Sequence, residues 1–427
     1  MDKNFVYNSK YGIIKEDIKI LNNRRFIPSI IFCSALNFAC KDFSFSVGGA
    51  ALSKKDSILS TIGEFSERFA ANTVHVNNVP IIDSYYNLKS KGENIIDISI
   101  LNQFYSEKQY NDSDKIRPLY ENDIIEWQRC KDIFHKKEVL LPNYCIYLNR
   151  KSILSDNLSP VYSVPSTGLS AHINEKLAIE SGFLENVERH SFCDFWYLQN
   201  YKNYPVYDAT EILNFFKDNT NIQILYNNPS VTIRCYDLTS VCNIPTFLNI
   251  VIFRYKEKCY ISSGAASKFS YEEAILKSII EAYQGIELAL WLDREYKGWN
   301  YINSYTIGKD VTNFHKHFAF YNSHEHFREE VPVLAKVLNK NFSSDTFSPN
   351  ANIIDSFQIE NLKNIDGIKN IYYKNITPKE IKNLGLEVVK VFVAGFHQLT
   401  GDHNYPFLGS FQSNLNNLFL KYPHFFP

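Results

Sequence analysis

The sequence predicts a mixed α/β domain built around three pseudo-repeated strand–glycine turn–helix units, and three observations carry that expectation. The pattern S-x-x-x-E-x-x-E-R occurs at Ser60–Arg68 and again at Ser181–Arg189. A third stretch, Ser278-Ile279-Ile280-Glu281-Ala282-Tyr283-Gln284, keeps the first Glu and places Gln where the second would fall. Glycines (Gly48-Gly49, Gly168 and Gly264) precede the three copies, and small residues (Ser57, Ala178 and Ala274) stand seven positions before each leading Glu. Self-similarity of this kind marks repeated supersecondary units.

On an α-helix, residues four and seven or eight apart share a side, so Ser60, Glu64, Glu67 and Arg68 form one polar stripe. Ile58, Ile62, Phe65 and Phe69 form a separate apolar stripe that can pack on a sheet, as do Ile179, Phe183 and Val187 in the second copy. Two carboxylates one turn apart repel each other unless a cation lies between them. Oxygen ligands on rigid helices suit a hard ion such as Mg2+, which keeps waters and phosphate oxygens. The adjacent Arg offers a planar fork for phosphate. A single copy reads equally as solvated surface ion pairs of little energetic consequence. Two copies, each behind glycine, favour a site.

The chain has 427 residues, of which 45% are hydrophobic and 21% charged, so it buries a core and is not disordered. A net charge of −1 without any basic run argues against a nucleic-acid partner. The start, Met1-Asp2-Lys3-Asn4-Phe5, lacks a basic segment followed by an apolar run, so no signal peptide is expected. No uninterrupted apolar stretch is long enough to span a bilayer. The 8 cysteines are scattered without a C-x-x-C pair. Reduced core thiols in a cytoplasmic protein are therefore the expectation.

In chain order, residues 1–40 read as a short lead-in, with a strand start at Tyr11–Ile14 and a turn at Asn22-Asn23. Phe43–Val47 alternates as a strand feeding the first glycine turn. Strand, glycine turn and helix start also build phosphate loops, although G-K-[ST] is absent. Lys89–Asn94 is a loop. Ile124–Trp127 and Val139–Pro142 read as two strands around a turn, and Ile153–Pro160 as a polar loop. A helix is expected near Ile212–Lys217, then a hairpin of Val231–Tyr236 and Thr246–Val251. Residues 296–352 look loop-rich and hold His315, His317, His324 and His326. Their two H-x-H spacings invite a metal reading that no nearby carboxylate or Cys spacing supports. Glu387–Ala394 is a β-rich, mostly apolar run, and the chain closes on Tyr422–Pro427.

These residues together resemble the YcaO family. The resemblance rests on the doubled motif, the third helix with E-x-x-Q and the glycines ahead of each. It is joined by the Glu126-Trp127 to Leu141-Pro142 segment, Tyr236–Thr239 followed by Ile244-Pro245, the Val389–Gly395 strand and the proline-ended tail. It runs from about residue 40 to the end and implies a YcaO-like catalytic domain over 41–427. Three departures stand out. Ala50-Ala51 replaces a basic residue that many members carry in the first turn. Thr167 stands in the second turn, and Phe425 interrupts the tail.

What the resemblance implies is an ATP-dependent, Mg2+-requiring enzyme acting on backbone amides of a ribosomally made precursor peptide. Cys, Ser or Thr side chains would be cyclodehydrated to thiazoline or oxazoline. The implied Mg2+ ligands are Glu64, Glu67, Glu185 and Glu188, with phosphate contacts from Arg68 and Arg189. Ser60, Ser181, Glu281 and Gln284 fall to the nucleotide pocket, and a catalytic role falls to Pro427, whose terminal carboxylate would accept a proton or orient the nucleophile. With only some 40 residues ahead of the first motif, a separate leader-binding partner resembling ubiquitin-activating enzymes is expected. A flavin dehydrogenase and a homodimer complete the expected partners. The rivals are a thioamide-forming enzyme with a sulfur donor and helper protein, and a non-catalytic scaffold. Four mutually repelling Glu residues weigh against the scaffold.

Overall fold

Each of the three motif helices leaves the edge strand of a different sheet. The structure, a computed structural model, describes residues 14, 17–21, 24–39, 43–73, 79–148, 158–161, 164–198, 203–299, 307–411 and 420–426. The first sheet is antiparallel, β1 (Lys19–Leu21), β2 (Phe32–Ala39) and β3 (Ser44–Ala51) in that order. The largest contains β4 (Ile81–Ser84), β5 (Ile124–Asp132), β6 (Lys137–Pro142), β7 (Leu169–His172), β12 (Asn370–Asn375) and β13 (Glu387–Ala394). Its order is β4-β5-β12-β13-β7, with β6 also on β5. The third runs β11-β10-β9-β8, from β8 (Val206–Asp208), β9 (Val231–Asp237), β10 (Thr246–Tyr255) and β11 (Lys258–Ser267).

Edge strand β3 leads into α1 (Lys54–Asn72), β7 into α2 (Glu175–Tyr197) and β11 into α3 (Tyr271–Glu295). Each helix starts on a side-chain cap: Ser53, Asn174 and Ser270 accept from the N–H groups of Asp56, Leu177 and Glu273. Such caps satisfy donors that the first turn leaves free. The caps stand eleven residues ahead of Glu64, Glu185 and Glu281, so the three leading carboxylates lie at one height along their helices. Helix α1 packs on β3 and reaches across to β7. Helix α2 packs on β7 and β13 and reaches β11, and α3 packs on β11 and reaches β3. The helices thus stitch three sheet edges into a closed ring.

The glycines do a different job from the one expected. Gly48 and Gly49 lie inside β3 and Gly264 inside β11, not in turns. A Cβ on Gly49 would sit 2.6 Å from the Ser57 carbonyl oxygen and from the Thr61 nitrogen; one on Gly264 would sit 2.3 Å from the Ala282 nitrogen. Only hydrogen lets the strand approach the helix backbone so closely. Gly168 alone is a turn glycine, at φ +84°. The buried stripe of α1 differs for the same reason. Its contact side is Ser57, Thr61 and Phe65, with Ser34 of β2 bonding the Ser57 carbonyl at 2.8 Å, while Ile58 and Ile62 stay half-buried.

Strand β13 explains the apolar run. Val388, Phe392 and Ala394 face one core cluster, and Val389, Val391 and Val393 face another beneath α2. The expected strands at 124–142 and the 231–251 hairpin are present, in longer form. Residues 296–352 are more ordered than expected, with helices at Phe314–Ser323, Phe327–Glu330 and Pro332–Leu338. The expected features at Tyr11–Ile13, Asn22-Asn23 and residues 153–157 lie outside the described residues. Among the described residues, no helix is long and apolar enough to cross a membrane.

Candidate functional site

The polar stripes of α1, α2 and α3 meet on one cleft. Glu64 Oε2 accepts from the Gly48 N–H at 3.0 Å, and Glu185 Oε2 from the Gly168 N–H at 2.9 Å. Glu67 reaches across from α1 to β7, accepting from the Ala171 N–H at 2.8 Å. Gln284 of α3 comes back to β3, its Nε2 3.0 Å from where a Gly48 Cβ would stand. Arg68 lies 3.6 Å from Glu64, and Arg189 lies 3.9 Å from Glu185 and 3.6 Å from Glu188. Ser60 and Ser181 are half-buried on the same helix faces.

This crowding of carboxylates is electrostatically uncomfortable. Burial pushes the Glu67 carboxyl up to about 8, with the Glu185 and Glu64 charges adding to the shift. Burial also pushes Glu188 up to about 8; Arg189 opposes, while Glu281 and Glu185 reinforce it. Glu185 is raised by burial against the pull of Arg189, the Gly168 N–H and Lys390. Repelling carboxylates of this kind call for a cation. One donor is also left over: Nη1 of Arg189 is buried without a hydrogen-bond partner among the described residues.

The donor set fits Mg2+ held together with phosphate. Among the described residues, no three His, Cys, Asp or Glu side chains close a cage by themselves. Mg2+ does not need one, since it binds through one or two carboxylates plus waters and phosphate oxygens. The spare Arg189 donor and the Arg68 fork are suited to those oxygens.

Two cations, one in the cleft and one behind it, escaped the sequence reading. Lys277 of α3 lies 3.1 Å from Glu281, and the Glu281, Glu188 and Glu64 charges raise its pKa. It stands four residues before Glu281, the place taken by Ser60 and Ser181 in the other copies. Aligning the third copy on its Glu, rather than on Ser278, would have found it. Ser278 itself is buried against the Ala274 carbonyl and Asn249. The second is Lys390, the lone charge in the apolar stretch 388–394 of β13, 2% exposed and pushed down to about 8 by burial.

The histidines of 315–326 do not form a metal site. His315 and His326 are exposed, while His317 and His324 are buried. His317 instead holds the chain's end: its Nδ1–H donates to the His424 carbonyl at 3.0 Å, and the two rings stack at 3.7 Å. Tyr321 donates to the Pro423 carbonyl at 2.7 Å. Tyr422, Phe425 and Phe426 are buried, and the Arg189 guanidinium lies 4.4 Å above the Phe426 ring. The tail is therefore docked beside the cleft. Pro427 lies outside the described residues.

A family model described as YcaO cyclodehydratase, ATP- and Mg2+-binding, matches residues 48–397. No curated protein matches the sequence at a significant level. Among solved structures, a heterocyclase in complex with substrate and cofactor is similar at a TM-score of 0.67 and 18% identity. That likeness covers 92% of this chain and 51% of that one, so the chain spans about half its length. YcaO from Methanopyrus kandleri bound with AMPPCP and Mg2+ matches at a TM-score of 0.54 and 16% identity, over 90% and 86% of the two chains. The E. coli microcin synthetase McbBCD complex with pro-MccB17 bound gives 0.58 and 18%, over 89% and 87%.

Proposed function

The chain belongs to the YcaO family, whose domain binds ATP and Mg2+, and from that premise we propose that it activates backbone amides of a ribosomally made precursor peptide. A Cys, Ser or Thr side chain of the peptide attacks the preceding carbonyl. ATP supplies the phosphoryl group that turns the former amide oxygen into a leaving group, and ADP and phosphate depart as the azoline closes. The observation that carries this reading is the convergence of Glu64, Glu67, Glu185 and Glu188 with Arg68, Arg189 and Lys277 on one cleft.

Glu64, Glu67, Glu185 and Glu188 would hold the Mg2+, which neutralises charge on the phosphates. Arg68, Arg189 and Lys277 would take phosphate oxygens, and Gln284, Ser60, Ser181 and Glu281 would line the nucleotide. Positioning and charge neutralisation supply most of the catalysis in phosphoryl transfer. The tail docks against Arg189 through Phe426, and the role assigned to Pro427, as the resemblance implies, is that of a proton acceptor. The precursor peptide is recognised with a leader-binding partner protein, and a flavin dehydrogenase and a second copy of the chain complete the proposed assembly.

The test is the mass of the product. Purified protein, precursor peptide, partner, Mg2+ and ATP should give loss of one water per ring formed. Exchange of oxygen for sulfur would assign the thioamide reaction, and an unchanged mass with no ATP turnover would leave a scaffold.

A further inference from the structure

Lys390 is the only charged residue in Val388–Ala394, and it shares a face with Val388, Phe392 and Ala394, which pack in the core that also holds Phe65 of α1. An ammonium in such surroundings is costly unless its donors are used. Its Nζ donates to the Pro165 carbonyl at 2.8 Å and to the Thr167 carbonyl at 2.5 Å. Those carbonyls belong to the turn that ends at Gly168, whose N–H holds Glu185 at 2.9 Å. The Gly168 carbonyl in turn accepts from the Val391 N–H at 2.8 Å. A Cβ on Gly168 would stand 2.0 Å from the Val391 carbonyl oxygen, so the turn lies hard against β13. The Glu185 charge also favours the ammonium against the penalty of burial.

We propose that Lys390 is a positioning residue of the nucleotide–metal cleft, clamping the Pro165–Gly168 turn so that the Gly168 N–H aims the Glu185 carboxylate at the cation. The inference rests on reading the cleft as the Mg·ATP site. Two effects of removing Lys390 oppose each other. Loss of a nearby positive charge alone would tighten Mg2+ binding, whereas loss of the clamp frees Glu185 and weakens it. The sign of the change therefore separates a positioning residue from a mere neighbouring charge.

The experiment titrates Mg2+ into the purified chain with a fluorescent ATP analogue and reads the half-saturating Mg2+ concentration. Thermal midpoints are recorded separately. Lys390→Met and Lys390→Gln should each raise the half-saturating Mg2+ roughly tenfold, the scale on which residues behind metal ligands act. Lys390→Arg, which keeps charge and donors, should return it to within about threefold of the parent. A folded neutral variant with unchanged or lower Mg2+ demand overturns the proposal, even if its thermal midpoint falls. If Lys390→Met does not fold, Lys390→Gln decides; if neither folds, Lys390 is a folding residue and the proposal fails. A parent chain that shows no Mg2+-dependent nucleotide binding would instead remove the functional reading beneath it.

Discussion

Loading the cleft with Mg·ATP should expel protons, and the number can be worked out beforehand. Glu67 and Glu188 are both pushed up to about 8. At pH 7 a group with that pKa is roughly nine-tenths protonated, and coordinating a cation requires its charged form. Complete ionisation of both would release on the order of one to two protons per bound Mg·ATP. Apparent affinity should therefore rise with pH through 6 and 7 and level off above 8. Calorimetric titrations at pH 7 in buffers of different ionisation enthalpy measure the released protons directly. Glu67→Gln and Glu188→Gln should each remove about one proton from the count. The same groups set the apo stability. Their pKa in the fold lies above the ordinary 4.5, so the unfolded chain gives up its protons first as pH rises. Stability contributed by the protonated pair is then present below pH 4.5 and lost on the way to pH 8, and Mg·ATP should restore it. Release of less than about half a proton, with affinity flat from pH 6 to 8, would refute the assignment of these carboxylates to the cation.

Glu64→Gln or Glu188→Gln should lower ATP turnover by roughly 100-fold or more while thermal melts at pH 7 stay close to the parent's, because Gln matches the volume of the carboxyl it replaces; turnover equal to the parent would remove both from the metal assignment. Lys277→Met should raise KM for ATP about tenfold and leave affinity for adenosine unchanged, since only the phosphates lose a partner; equal losses for both ligands would assign it a packing role. Deleting Tyr422–Pro427 should abolish peptide modification but leave Mg·ATP binding measurable, and modification at the parental rate would show that the tail has no catalytic part.

The clustering of the candidate site's side chains was legible wherever chemistry repeats at helical spacing. Glu64, Glu67, Glu185, Glu188 and both arginines stand out because two matched helices must each be justified by the same function. Glu281 and Gln284 followed from a weaker third copy, and both reach the cleft. What misled was glycine. Gly48-Gly49 and Gly264 read as turns, because positive φ is the residue's best-known use. In the fold they serve the other one, close approach of a strand to a helix backbone. That choice also shifted the contact side of α1 onto Ser57 and Thr61, which a hydrophobic pattern does not mark. Lys390 stayed hidden because its partners are main-chain carbonyls 223 and 225 residues away in sequence. The docking of the aromatic tail was not marked either, since its clasp by His317 and Tyr321 is purely tertiary.

The ring of edge strands gives the site a property that no single helix has. Glu67 lies on α1 but takes its N–H from β7, and Gln284 lies on α3 but comes to rest at β3. Two of the motif helices, α1 and α3, therefore bring a cleft side chain against a strand that belongs to another unit. Lys277 extends the same logic, since charges on all three helices act on its ammonium. None of the sheets can present the constellation alone. Binding that depends on all three edges adds its free energy to the assembled state only, so Mg·ATP must report on the assembly of the whole ring. Because Glu67 and Glu188 must give up protons as the cation binds, that coupling depends on pH and is fullest above about 8. On the proposed reading the same cluster serves two ends, a seat for the nucleotide's metal and a link between nucleotide binding and the joining of three separate sheets.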